Sequence, residues 1–209
     1  MQPLIHKPDA KVPIGLKLLT GGFLCVFIPV YWVKLGPANF LWFTDIAVIV
    51  TTIALWLEEK FLISMMAVGV LLPELVWNVD FFTRLITGSH LFGLGATRYM
   101  FNPDLPDVVR VLSFLFHVSL PLILLWSLYR LGYHSKAWIA QIVLAGIVLP
   151  LCYWVSDAQA NINWVYGVGS VPQQWLPGIW YVLFLMVALP VVIYLPTHLV
   201  LKRLFIKHD

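Results

Sequence analysis

Asp45, Glu74, Arg110 and His117 are the residues best equipped for chemistry, and each sits in or at the edge of a long apolar run. A charged side chain in lipid costs about 2.5–3.5 kcal/mol on insertion scales. Groups kept there are expected to turn inward, toward one another or toward a cavity. His117 lies in SFLFHVSLP. An imidazole titrates near neutrality in water, and held neutral it can act as a general base. As a core histidine it would instead bridge two helices by hydrogen bonds. Thr44 stands beside Asp45 in NFLWFTDIAV. A hydroxyl with a nearby histidine is the minimum kit for acyl transfer, although threonine hydroxyls in helices commonly bond back to their own backbone. Ser113 and Ser119 are rival hydroxyls on the His117 segment.

Asp45 and Glu74 either share a site with one proton between them or pair with Arg110 or Arg84. Arg84, Arg98 and Arg110 have the fork geometry to clamp a phosphate or carboxylate headgroup, or they balance buried acids. Asn78 follows Glu74 by one helical turn. The segment SDAQANINWVYGVGS adds Asn161 and Asn163 as donors or acceptors and Trp164 as a lid aromatic. The expected catalytic set is therefore Thr44, His117, Asp45 and Glu74. The expected substrate contacts are Arg110, Arg84, Asn78, Asn161, Asn163 and Trp164. The histidines form no HxxxH or HxxHH cluster and the two cysteines no CxxC pair, so no metal site is expected. Cys25 and Cys152 read as buried, inert thiols. Without a GxGxxG, P-loop or HExxH pattern, no cofactor is expected.

The elements that must position these groups follow from composition. The chain has 209 residues, 61% hydrophobic and only 11% charged, with a mean hydropathy of +0.88. A soluble domain is about 25% charged, so an all-α, polytopic membrane protein is expected, a single domain over residues 1–209. A span needs about 20 apolar residues. Six candidates emerge: Leu16 to Val33, Phe40 to Leu57, Phe61 to Val79, Val108 to Tyr129, Ala137 to Val155 and Ile179 to Leu201. Residues 1–14 read as a short polar lead-in, and 80–107 and 156–178 as long outward loops. Six spans put both termini on one side. That side carries Lys7, Lys11, Lys17, Lys60, Arg130, Lys136, Lys202, Arg203 and Lys207, against Lys34, Arg84, Arg98 and Arg110 on the other. The positive-inside bias then makes both termini cytoplasmic. Trp42, Trp77, Trp154, Trp164, Trp175 and Trp180 would form an outer aromatic belt.

At a rise of about 1.5 Å per residue, Asp45 is expected roughly 8–9 Å below the outer boundary, Glu74 near that level and His117 about 15 Å deep. Asp45, Glu74, Arg110 and His117 should thus line one outer-half pocket. Pro73 and Pro121 flank two of these groups, and each removes a helical hydrogen bond.

The segments LWFTD, LLPELVWNVDFF, LFHVSLPLILLW, NINWVYG and IYLPTHLVLKR resemble an uncharacterised family of bacterial multi-pass membrane proteins. That resemblance implies a bacterial inner-membrane location and no particular activity. Thr44 in FLWFTD and His117 in FHVSLP are also similar to the androgen-induced family of membrane hydrolases, which cleave fatty acid esters of hydroxy fatty acids. Members of that family use an early intramembrane threonine and a later histidine often followed by Leu-Pro. The segment departs from them in placing Asp45 next to Thr44.

The function expected is an intramembrane hydrolase or acyltransferase acting on a lipid ester from the outer leaflet, with membrane lipid as partner and no nucleic acid. Thr44 would be nucleophile, His117 base, and Asp45 or Glu74 its orienting acid. Two alternatives stay open: a small lipid- or solute-binding or transport protein using the same polar pocket, and a structural subunit without catalysis. Oligomeric state is left open.

Overall fold

The computed structural model describes residues 11–90, 95–169 and 171–205, and within them the chain is helical without strands. Helix α1 spans Ile14–Leu35, α2 Phe43–Leu57, α3 Lys60–Thr87, α4 Asp107–Leu131, α5 Ala137–Val155 and α6 Gly178–Phe205. All except α2 are long and apolar enough to cross a membrane. Three begin directly after a proline, at Pro13, Pro106 and Pro177. A proline φ suits helix entry, and its missing N–H would have no helical partner there anyway. Residues 1–10 of the expected lead-in, with Lys7, and Lys207 from the charge count lie outside the described residues.

The first, fourth and sixth helices run one to four residues past their expected ends, and two further boundaries differ in ways that bear on the site. The second span was expected from Phe40, but Phe40 and Leu41 belong to a separate 3-10 turn, Pro37–Leu41, and Trp42 is extended. What remains is a 15-residue helix, about 22 Å long against a hydrocarbon core of about 30 Å. The third span was expected to end at Val79. Instead α3 runs to Thr87 and closes on Gly88, whose positive φ of 76° lets its N–H reach the Arg84 carbonyl. Asp80 and Arg84, expected in a loop, are therefore helical. The polar run N-V-D reads as a helix end, but Asp80 is fully buried by partners from a later segment, so the helix continues through it.

Hydrogen bonds between helix ends set the directions. Glu58, after α2, accepts from Lys17 Nζ at 2.7 Å and from the Val12 amide at 3.3 Å. The His134 amide, after α4, donates to Ser64 near the start of α3 at 2.9 Å. Asn163, after α5, donates to the Leu41 carbonyl before α2 at 2.7 Å. Successive helices thus run in alternating directions. One end of the bundle carries the tight turns at 58–59 and 132–136, the hairpin end. The other carries 88–90, 95–106, 156–169 and 171–177, the long-loop end.

Helix α3 is the axle. It packs against α2, α4, α5 and α6, and 56% of its most apolar window is buried, against 11% for α1. The outer faces are apolar, with Leu19, Val33, Leu122 and Val143 exposed. A water-soluble fold would bury much of such a surface, because apolar contact with water is unfavourable. Trp154, Trp175 and Trp180 are exposed at the long-loop end, as a belt requires. Trp77 is not part of it: it is buried in the core. Cys152 is buried as expected, but Cys25 is exposed on the outer side of α1.

Candidate functional site

Glu74 on α3 and His117 on α4 meet inside the bundle. The Nδ1 atom of His117 lies 2.8 Å from Oε2 and 3.0 Å from Oε1 of Glu74. Both residues are buried, Glu74 completely. An ionised carboxylate only accepts hydrogen bonds. With Glu74 ionised, the imidazole proton sits on Nδ1, and Nε2 presents its lone pair. The ring is held flat by its neighbours. Trp77 stacks on it at 4.1 Å between centroids and 11° between planes, and Phe116 tilts against it at 4.2 Å.

The prolines next to these residues have a local consequence. Pro121 has no N–H for the carbonyl four residues earlier, which is that of His117. Asn78 supplies the missing donor from the facing helix: its Nδ2 donates to the His117 carbonyl at 2.8 Å and to the Glu74 carbonyl at 2.8 Å. The same side chain thereby ties α3 to α4 beside the pair.

A second set of polar groups lies alongside. Trp77 Nε1 donates to the Tyr99 hydroxyl at 3.2 Å, and that hydroxyl is 2.7 Å from Ser113 Oγ. Burial pushes the Tyr99 phenol well above its usual pKa, so it remains a donor. An indole N–H only donates, so Tyr99 accepts from Trp77 and has its own proton free for Ser113. Ser113 lies one helical turn before His117, and helical side chains lean toward the N-terminus of their helix. Asp45 is buried, and its Oδ2 accepts from Asn39 at 2.7 Å. Asp45 lies near Glu74, and Tyr99 lies near both. Asp45, Glu74 and His117 therefore share the long-loop half of the bundle, as their depths suggested.

The remaining expected residues are engaged otherwise. Thr44 is half-buried and makes no hydrogen bond to His117 among the described residues. Arg110 does not reach Asp45 or Glu74. It donates to the carbonyls of Met100, Asn102 and Leu105 and to Asp107, strapping the segment that leads into α4. The reason is length and place: Arg110 is in the first turn of α4, where loop carbonyls are nearer than the core. Arg84 lies over the Phe101 ring at 5.6 Å. Asn161 ties its own loop, donating to the Gly167 and Gly169 carbonyls and accepting from the Tyr166 amide. Asn163 accepts from the Phe43 amide at 3.0 Å and so caps the start of α2 just above Thr44 and Asp45. Asn161, Asn163 and Trp164 all have positive φ, of 40°, 52° and 59°. Such angles are strained for a bulky residue like tryptophan and persist only where surroundings enforce them.

Tyr31, Trp77 and Tyr99 were not among the expected site residues, and Ser113 was expected only as a rival hydroxyl. The three aromatics read as core or belt, and for Trp77 and Tyr99 only the indole and hydroxyl contacts reveal the polar role. Asp80 was missed as well. It accepts from the Thr97 amide at 2.9 Å and hydroxyl at 2.6 Å, and lies 3.1 Å from His90 Nδ1. Among the described residues no cluster of three His, Cys, Asp or Glu suits a metal ion. On the outer face of α3, Asn78, Val79, Phe82, Thr83, Ile86 and Thr87 form a shallow, open and mostly apolar stretch of surface. It begins at the residue that braces the Glu74–His117 pair. No protein-family model matches the chain, and no curated protein or solved structure matches it.

Proposed function

We propose that this is a multi-pass membrane protein, six crossings with both termini cytoplasmic in a bacterial inner membrane, whose Glu74–His117 pair is a general base acting on a lipid ester. The observation that carries this reading is the 2.8 Å contact between Glu74 and His117 Nδ1. An acid on Nδ1 fixes the tautomer and orients Nε2 toward a substrate or hydroxyl, the division of labour of a hydrolytic triad. Nε2 takes the proton of a hydroxyl as its oxygen attacks the ester carbonyl. The alcohol leaves with that proton, and water then releases the acyl group as a carboxylic acid. The shallow apolar surface beginning at Asn78 suits contact with an acyl chain lying along α3. Tyr99 and Ser113 offer donors near the base, and water-excluding burial strengthens each such contact.

The hydroxyl is Thr44 if the resemblance to the androgen-induced hydrolases extends to mechanism. Ser113, on the His117 helix and already hydrogen-bonded to Tyr99, is the competing assignment. The test uses protein reconstituted in phospholipid with a fluorogenic fatty acid ester. Wild type should turn over, and His117→Ala should lower kcat by several orders of magnitude. Glu74→Gln should lower kcat with little change in KM. A fluorophosphonate probe should label the nucleophile, with Thr44→Ala and Ser113→Ala deciding which hydroxyl it is. Undiminished hydrolysis by folded His117→Ala would refute the assignment of the base.

A further inference from the structure

Among the described residues, four buried polar atoms lack a well-formed hydrogen bond: Thr51 Oγ1, Arg130 Nε, Gln141 Oε1 on α5 and the Tyr194 hydroxyl on α6. The last two lie below the Glu74–His117 pair, toward the hairpin end, and belong together. Each residue is only 1% exposed, and the Gln141 carboxamide is the near donor to the Tyr194 oxygen, which leaves Gln141 Oε1 and the Tyr194 hydroxyl proton to be satisfied. Native proteins rarely leave such groups unpaired, and an ordered water is the usual partner. The surroundings favour more oxygen. Gly69 on α3 faces the Gln141 carboxamide so closely that a Cβ there would lie 2.5 Å from Nε2. Its carbonyl is the one that Pro73, four residues later, cannot pair. Tyr194 ends a π-helical turn, Pro190–Tyr194, and π-turns leave carbonyls off the regular ladder. Gln141, Tyr194 and the unpaired carbonyl of Gly69 thus come from three elements packed at one level, about 7.5 Å along α3 from Glu74.

The line continues. His198 is one turn beyond Tyr194 on α6 and is buried beside Trp138, with Lys202 one turn further on. Its Nδ1 lies 2.6 Å from the hydroxyl of Tyr133, in the turn at the hairpin end.

We propose that Gln141, Tyr194 and the Gly69 carbonyl hold a buried water, which joins His198 and Tyr133 into a proton exit from the Glu74–His117 pair to the hairpin end. The need for one rests on the reading of His117 as a base. Ester hydrolysis at neutral pH releases one proton per turnover as the product acid ionises. A base this deeply buried must pass that proton to water before the next cycle. Gln141 and Tyr194 are positioning residues here, touching neither substrate nor the reacting atoms.

The experiment tests hydration and not turnover, so it stands or falls apart from the hydrolase reading. In a Cys25→Ser, Cys152→Ser background, Tyr194→Cys and His198→Cys are exposed to a small, charged methanethiosulfonate reagent. Both should react at least tenfold faster than Leu149→Cys and Leu124→Cys, whose parent residues are fully buried in apolar surroundings. Equal rates would overturn the proposal. Melting provides a second readout with the protein otherwise intact. In a dry core, Tyr194→Phe removes an unsatisfied hydroxyl and raises Tm. In a hydrated site it removes a hydrogen bond and lowers Tm. A raised Tm for Tyr194→Phe would overturn the proposal as well. Ester hydrolysis with no hydration at these positions refutes the exit and leaves the base assignment untouched. Hydration without hydrolysis supports the water site and refutes the base.

Discussion

Asn78 donates to the backbone carbonyl of His117, the hydrogen bond that Pro121 denies it within α4. One side chain on α3 thereby replaces a missing amide on α4 and sets the height at which Glu74 meets the imidazole. Asn78→Leu leaves that carbonyl buried and unpaired, at a cost of about 1–3 kcal/mol. The loss should be partly reversed by Pro121→Ala, which restores the helical N–H. A double-mutant cycle on thermal unfolding in detergent measures the coupling, and purely additive effects would sever the link between Asn78 and Pro121.

Glu74 and His117 form a buried pair, so removing one partner is worse than removing both. His117→Ala should destabilise by about 3–5 kcal/mol, because Glu74 is then a buried group without its partner. The double change Glu74→Leu with His117→Leu should be milder than His117→Ala alone. Chemical or thermal unfolding of the three proteins checks the order.

Gly69 is required by close approach and not by backbone angle. Gly69→Ala sets a methyl against the Gln141 carboxamide, and overpacking of this kind costs about 1–3 kcal/mol. Pairing it with Gln141→Ala should restore most of the loss. Stability unchanged in Gly69→Ala would mean that α3 and α5 are less tightly packed than the structure has them.

At the hairpin end, the Lys17 hydrogen bond holds the Glu58 carboxyl below its ordinary range, with further help from the Val12 amide. A depressed carboxyl contributes stability that is present above the unfolded pKa, about 4.3 for glutamate. That contribution is lost as pH falls through the lower folded value. The α1–α2 contact should therefore loosen only below about pH 4.3, and Lys17→Met should remove most of that acid dependence, leaving the part due to the Val12 amide. Hydrogen exchange of the Val12 and Glu59 amides against pH reports it.

The sequence by itself determined the helical class, most of the helix positions and three residues of the candidate site. Charge is scarce and apolar runs are long, so composition alone requires a helical, lipid-compatible fold. Ala137–Val155 was legible to the residue, because Lys136 and Ser156 bound an apolar run broken only by Gln141. Asp45, Glu74 and His117 stood out because polar groups are costly in such runs, and rise per residue alone set their common depth.

Tertiary structure decided the rest. Helical rise gives height but not azimuth, so Arg110 could be assigned a depth and still face the loop, where Met100, Asn102 and Leu105 satisfy it. Asp80 reads as a helix end until Thr97, 17 residues later, buries it. Trp77 and Tyr99 carry no polar signal as letters, since an indole N–H or a phenol matters only when a partner from another segment faces it. The pairing of Pro121 with Asn78 joins positions 43 residues apart. Local propensity records the hydrogen bond that a proline removes, and only the packed neighbour helix determines which group replaces it.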